Sequence, residues 1–171
     1  MKIFLTAVLS LLLASQSLIA QQREVIVEPG GEKIIKGPIS RMEVEKDSLF
    51  KTWFVQSLRG YKPNADAVTA LKQQADSVSF YVFMGTWCED SHFVIPKFFS
   101  FTDAAGFNSD RISIVGLDRS KKSTDNITET MKVTNVPTII VMKNGKEVGR
   151  VVEYGKSGYF DKDLGELLTV Q

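Results

Sequence analysis

The chain has 171 residues, enough for one domain with an appendage and a sizeable core. Its 43% hydrophobic and 24% charged residues are those of an ordinary globular protein. With 21 Lys+Arg against 20 Asp+Glu, it lacks the charge excess that would point to nucleic acid or another polyanion.

Residues 1–20 read as a secretory signal. Lys2 is the positive region, and Ile3 to Ala14 is apolar but short for a bilayer span. Ser15-Gln16-Ser17 is the polar stretch and Ala20 the expected cleavage residue, although Leu18 is bulkier than the usual minus-three residue. No cysteine follows the cut to take a lipid anchor. The expectation is a bacterial periplasmic or secreted protein with no membrane attachment after cleavage.

Residues 21–46 form the next expected unit, a small N-terminal β extension. Glu24 to Glu28 and Lys33 to Lys36 flank Pro29-Gly30-Gly31 as a hairpin, and Gly37-Pro38 ends it. Met42-Glu43-Val44 alternates like a further short strand. The main domain is expected at 47–171. Asp47-Ser48 starts a helix carrying Leu49, Phe50, Trp53, Phe54 and Leu58 at helical spacing, a stripe that belongs to a core. Gly60 and Pro63 stop it. Asn64 caps a second helix, running to about Ala75.

Phe80 to Met84 is a buried strand, short, aromatic and β-branched. Gly85 and Thr86 break it, and a helix opens after Trp87-Cys88 and runs to about Phe101. Backbone N–H groups at a helix start point outward unpaired and favour a negative charge, so a thiolate is stabilised there. Cys88 is the only cysteine, and an odd thiol in an exported chain is either reactive or engaged with another molecule. Glu89, Asp90 and Ser91 imply a wet neighbourhood, against an inert buried cysteine. Arg111 to Leu117 is a second buried strand, and Asp118 to Asp125 a polar loop. Asn126 caps a short helix to Met131. Thr138 to Met142 and Glu147 to Glu153 form a hairpin across Asn144-Gly145, and Tyr159 to Val170 is a closing helix.

From about Asp76 to Val170 the sequence resembles the thioredoxin superfamily. The carriers are Trp87-Cys88-Glu89-Asp90-Ser91 for the family's Trp-Cys-x-x-Cys, Pro96 eight residues after Cys88, Val136-Pro137-Thr138 for its cis-proline loop, and the Asn144-Gly145 hairpin. The resemblance implies an α/β fold of thioredoxin-like type, a central mixed sheet flanked by helices, with the N-terminal β extension added. It also implies that Cys88 is the nucleophile. Trp87, Glu89, Asp90, Val136 and Pro137 then contact substrate, and the Val136 backbone pairs with an extended strand.

The chain departs from the family at two positions. Ser91 replaces the second cysteine, so it cannot resolve a mixed disulfide, but at i+3 it is placed to donate a hydrogen bond to the Cys88 sulfur. Val82 stands where thioredoxins often bury an aspartate. The implied activity is therefore monothiol thiol–disulfide exchange, an isomerase or reductase half-reaction, on exported protein thiols and disulfides or small thiols. Two alternatives are a redox-inactive binding module of the same fold and a Cys88-linked dimer. His92, the only histidine, reads as a partly exposed helix residue. Cys88, Asp90 and His92 lie too close in sequence, with no second cluster, to make a metal site. Neither metal nor cofactor is expected.

Overall fold

The computed structural model describes residues 22–169. The expected signal segment, residues 1–20, lies outside them. A six-stranded mixed sheet forms the centre, in the order β1-β2-β4-β3-β5-β6. Its strands are β1 (Glu24–Val27), β2 (Lys33–Ile39), β3 (Val78–Met84), β4 (Ile112–Gly116), β5 (Thr138–Lys143) and β6 (Lys146–Val152). The helices are α1 (Arg41–Lys46), α2 (Lys51–Ser57), α3 (Ala65–Gln74), α4 (Glu89–Ala104), α5 (Ile127–Thr130) and α6 (Phe160–Thr169). Only β3 and β4 run parallel; the other neighbours are antiparallel.

The expected N-terminal hairpin is present, and it is built into the main sheet. Its second strand pairs with β4 through Gly37–Gly116, Pro38–Val115 and Ile39–Ile114. At Gly116 a Cβ would lie 2.2 Å from the Ile35 carbonyl oxygen, so only glycine lets β2 approach this closely.

Alternation along β3 divides the core. Phe80, Val82 and Met84 face a large apolar layer filled from α1, α3, α4 and α6, while Phe83 faces a smaller one with Val115, Leu117, Val133, Val136 and Ile140. The phenylalanines make specific contacts: Phe80 meets Phe98 edge-on at 5.3 Å and Phe107 at 5.2 Å. Each such pair contributes about 1 kcal/mol beyond its buried area. Val82 is fully buried, so this position is structural.

Two local expectations are corrected. Met42-Glu43-Val44 lies in helix α1, where Ser40 Oγ accepts from the Glu43 amide at 3.2 Å and Arg41 pairs with Glu45 at 2.6 Å. Ser40-x-x-Glu43 is a capping-box spacing, and it overrides the short alternation. Asn126 precedes α5 but makes no side-chain cap bond; Asp125 Oδ1 accepts from the Ile127 amide instead. Asn64 caps α3 as expected, accepting from the Ala67 amide at 2.9 Å. The helix expected from Asp47 starts later, at Lys51, with Leu49 left exposed.

Pro96 sits inside α4 and is buried. A proline has no N–H for the carbonyl four residues back, here that of His92. The Ser57 hydroxyl supplies the missing donor to the His92 oxygen at 2.6 Å. Helix α2 is thus tied to the helix that carries the site.

Candidate functional site

Cys88 lies at the carboxyl end of β3, on the residue that caps α4. The turn that delivers it is tight. The Cys88 amide donates to the Gly85 oxygen at 3.0 Å, and a Cβ on Gly85 would come within 2.8 Å of the Trp87 ring. The Thr86 side chain is buried and faces the N-terminal hairpin. Its hydroxyl donates to the Lys33 oxygen at 2.7 Å and accepts from the Ile35 amide at 3.1 Å. It takes over the bonding of β2 just where the β2–β4 ladder ends. Trp87 Nε1 donates to the Leu117 oxygen at 2.9 Å. These contacts fix both sides of the turn.

The Cys88 sulfur is half-buried and 3.3 Å from the Val136 carbonyl oxygen, to which the thiol donates. The Val136–Pro137 peptide bond is cis. The Pro137 oxygen accepts from the Glu153 amide at 2.7 Å, which joins the end of β6 to the same corner. Cys88, Val136 and Pro137, 48 and 49 residues apart in sequence, are thus brought together. Trp87 is half-buried beside Cys88, and Glu89 is exposed in the first turn of α4. Asp90 accepts a hydrogen bond from the Tyr154 hydroxyl at 2.6 Å. That bond is the largest cause holding the Tyr154 hydroxyl up at about 12, followed by burial.

The expected role of Ser91 is corrected. Its side chain is fully buried, and its Oγ accepts from the Gly85 amide at 3.2 Å; no bond to the Cys88 sulfur is present among the described residues. The reason is geometric. Cys88 is the N-cap of α4, with extended dihedrals, φ −97° and ψ 121°, and its thiol donates to the Val136 oxygen while Ser91 Oγ is taken by the Gly85 amide. His92 is held away from the sulfur too. It stacks on Trp53 at 4.3 Å, and its Nε2 is 2.8 Å from the Thr86 oxygen.

Sequence reasoning missed several neighbours. Thr86 and Tyr154 carry no motif. Arg119 and Lys121 lie in what reads only as a polar loop, yet both sit over the Trp87 ring, at 5.2 and 5.6 Å. Arg119 is also held by Glu28 and Glu32 of the hairpin tip.

The arrangement is a half-exposed sulfur at a helix start, facing a backbone carbonyl before a proline. The fold is thioredoxin-like. A thioredoxin from Echinococcus granulosus is 34% identical to this chain over 76 residues, 44% of this chain and 65% of that protein. The chain thus spans a little under two thirds of that relative's length, and no family model matches it. Two solved structures cover 68% of this thioredoxin-like chain. One is an HIV epitope scaffold, at 16% identity and TM-score 0.44 over 79% of its length. The other is a protein of unknown function from Pseudomonas aeruginosa, at 15% identity and TM-score 0.45 over 78% of its length.

Proposed function

We propose that this chain is an exported monothiol thioredoxin-like protein that performs thiol–disulfide exchange through Cys88, on protein thiols and disulfides or on small thiols. The observation that supports this most directly is the placement of Cys88, half-buried at the start of α4 with its sulfur 3.3 Å from the carbonyl oxygen of Val136.

The chemistry follows from that placement. A thiolate at Cys88 attacks one sulfur of a substrate disulfide. The new Cys88–substrate bond forms, the old S–S bond breaks, and its electron pair leaves on the departing thiolate. Loss of the Cys88 proton also ends the bond to Val136, so that carbonyl becomes available to accept from a substrate backbone N–H, in the manner of strand addition. Ser91 offers no second thiol and is buried against Gly85. Release therefore requires a second thiol of the substrate or one from solution.

The test is to mix the purified protein with glutathione disulfide or an oxidised peptide and look for the adduct by mass spectrometry. A mixed disulfide at Cys88 should accumulate, be absent in Cys88→Ser, and dissolve on adding reduced glutathione. Failure to form any adduct with either oxidant removes the exchange reading, and the redox-inactive binding module then stands.

A further inference from the structure

We infer that the substrate of this site is an extended peptide bearing an acidic side chain on one flank of the reacting cysteine and an aromatic or large apolar one on the other. The inference rests on the exchange reading of Cys88. Strand order carries it: Cys88 follows β3, which has β4 on one side and β5, then β6, on the other. The loop after β4 and the loop after β6 therefore flank the sulfur from opposite sides. A chain laid across the end of β3 meets both.

The β4 side places a free cation beside the Trp87 ring. Lys121, half-buried and held at φ 62°, places its ammonium 5.6 Å from the Trp87 ring and forms no ion pair among the described residues. The other charges there are matched except Asp125, at the far end of the loop, whose Oδ1 accepts from the Ile127 amide. Arg119 is engaged by Glu28 and Glu32, and Asp118 by Lys36 at 3.0 Å. Lys121 is thus the cation left for an incoming carboxylate.

The β6 side is aromatic. Phe93 of α4 and Tyr154 lie 5.4 Å apart and are 44% and 36% exposed. Glu153, in the left-handed region at φ 54°, turns the chain so that Tyr154 reaches Asp90. That bond engages the Asp90 carboxylate, Glu153 Oε1 accepts from Asn135 Nδ2 at 2.9 Å, and the Lys97 ammonium lies 2.8 Å from the Phe93 ring centroid, so the exposed faces of the two rings are what the shelf offers. Neither ring is needed to fill the core, since neither belongs to either buried cluster.

The test uses short blocked peptides whose single cysteine is activated as a thiopyridyl disulfide. Attack by Cys88 forms the Cys88–peptide bond and expels thiopyridone, read by absorbance. Asp-Cys-Phe and Phe-Cys-Asp are compared with the same peptides carrying Lys for Asp or Ser for Phe. One of the two Asp/Phe orders should react fastest. It should lose about fivefold on exchange to Lys at low salt and about tenfold on exchange to Ser. Lys121→Glu should abolish the acid preference and keep the aromatic one; Tyr154→Ala should do the reverse. Equal rates for all peptides, or preferences that persist in both variants, overturn the inference. Reaction with neutral hydroxyethyl disulfide separates the two levels. If it forms an adduct while the peptides show no preference, only the flank assignment falls. If no adduct forms at all, the exchange reading falls and takes this inference with it.

Discussion

Replacing Thr86 by valine removes one hydroxyl and almost no volume. Among the described residues, that hydroxyl makes the only side-chain hydrogen bonds between the Cys88 turn and β2, donating to the Lys33 oxygen at 2.7 Å and accepting from the Ile35 amide at 3.1 Å. Its loss leaves the buried Ile35 N–H without its partner, at about 1–3 kcal/mol, and the part-buried Lys33 carbonyl without its donor, at somewhat less. Partial relaxation brings the expected total to about 3 kcal/mol. For a chain of this size each kcal/mol moves Tm by about 2–4 °C, so Thr86→Val should melt about 6–12 °C lower. Thr86→Ser, which keeps the oxygen, should recover most of the loss. Urea unfolding measures the free energy, and amide exchange at Ile35 locates it. Alkylation of Cys88 should change in the valine variant and not in the serine one. A loss under about 0.5 kcal/mol, with Ile35 still protected, would refute the claim that Thr86 braces the site.

Three further outcomes are expected. In Ser91→Cys the new thiol lies at i+3, within the Cα range that a disulfide spans; the mixed disulfide should then resolve without added glutathione, and mass spectrometry should find an internal bond in place of the adduct. The same change replaces the acceptor of the Gly85 amide by weakly accepting sulfur, so the reduced variant should be about 1 kcal/mol less stable by urea unfolding. Asp118 is raised by burial but brought below its usual range overall by bonds from the Lys122 amide, Lys36 and the Ser120 amide. Its contribution is present above the ordinary aspartate pKa and is lost as pH falls through the depressed folded value, so Asp118→Asn should flatten the loss of stability below about pH 4. If residues 1–20 act as the export signal proposed for them, the protein expressed from Met1 in a bacterium should begin near Gln21 and fractionate as soluble periplasmic or secreted material. N-terminal sequencing and fractionation check this, and recovery of intact precursor in the membrane would contradict it.

Much of the frame could be read from the residues because local signals agreed with one another. The apolar run before Gly85, the Asn64 cap and the Asn144-Gly145 hairpin each have a short-range physical cause. Alternation at Met42–Val44 misled because three residues fit either period, and the Ser40 cap, two residues before that window, decides for a helix. Asn126 lost its cap role to Asp125, since either residue satisfies the same rule and only backbone geometry chooses. Position 91 could be read as a departure from a two-cysteine site, but its burial could not, because that comes from the turn at Gly85, whose amide its Oγ accepts. Thr86, Lys121 and Tyr154 gave no signal at all. Their roles arise from strand order and from a turn at Glu153, neither of which is a property of a few adjacent residues.

Thr86 is bonded to residues 53 and 51 positions earlier, the Cys88 sulfur to one 48 positions later, and Asp90 to one 64 positions later. Closing such long loops is entropically expensive and comes late in folding. Until then Cys88 is a bare thiol on an open chain, without the Val136 carbonyl beside it. On the proposed exchange reading, discrimination among partners would be acquired only when these contacts close, and a chain still emerging would carry its thiol before the surroundings that select for it.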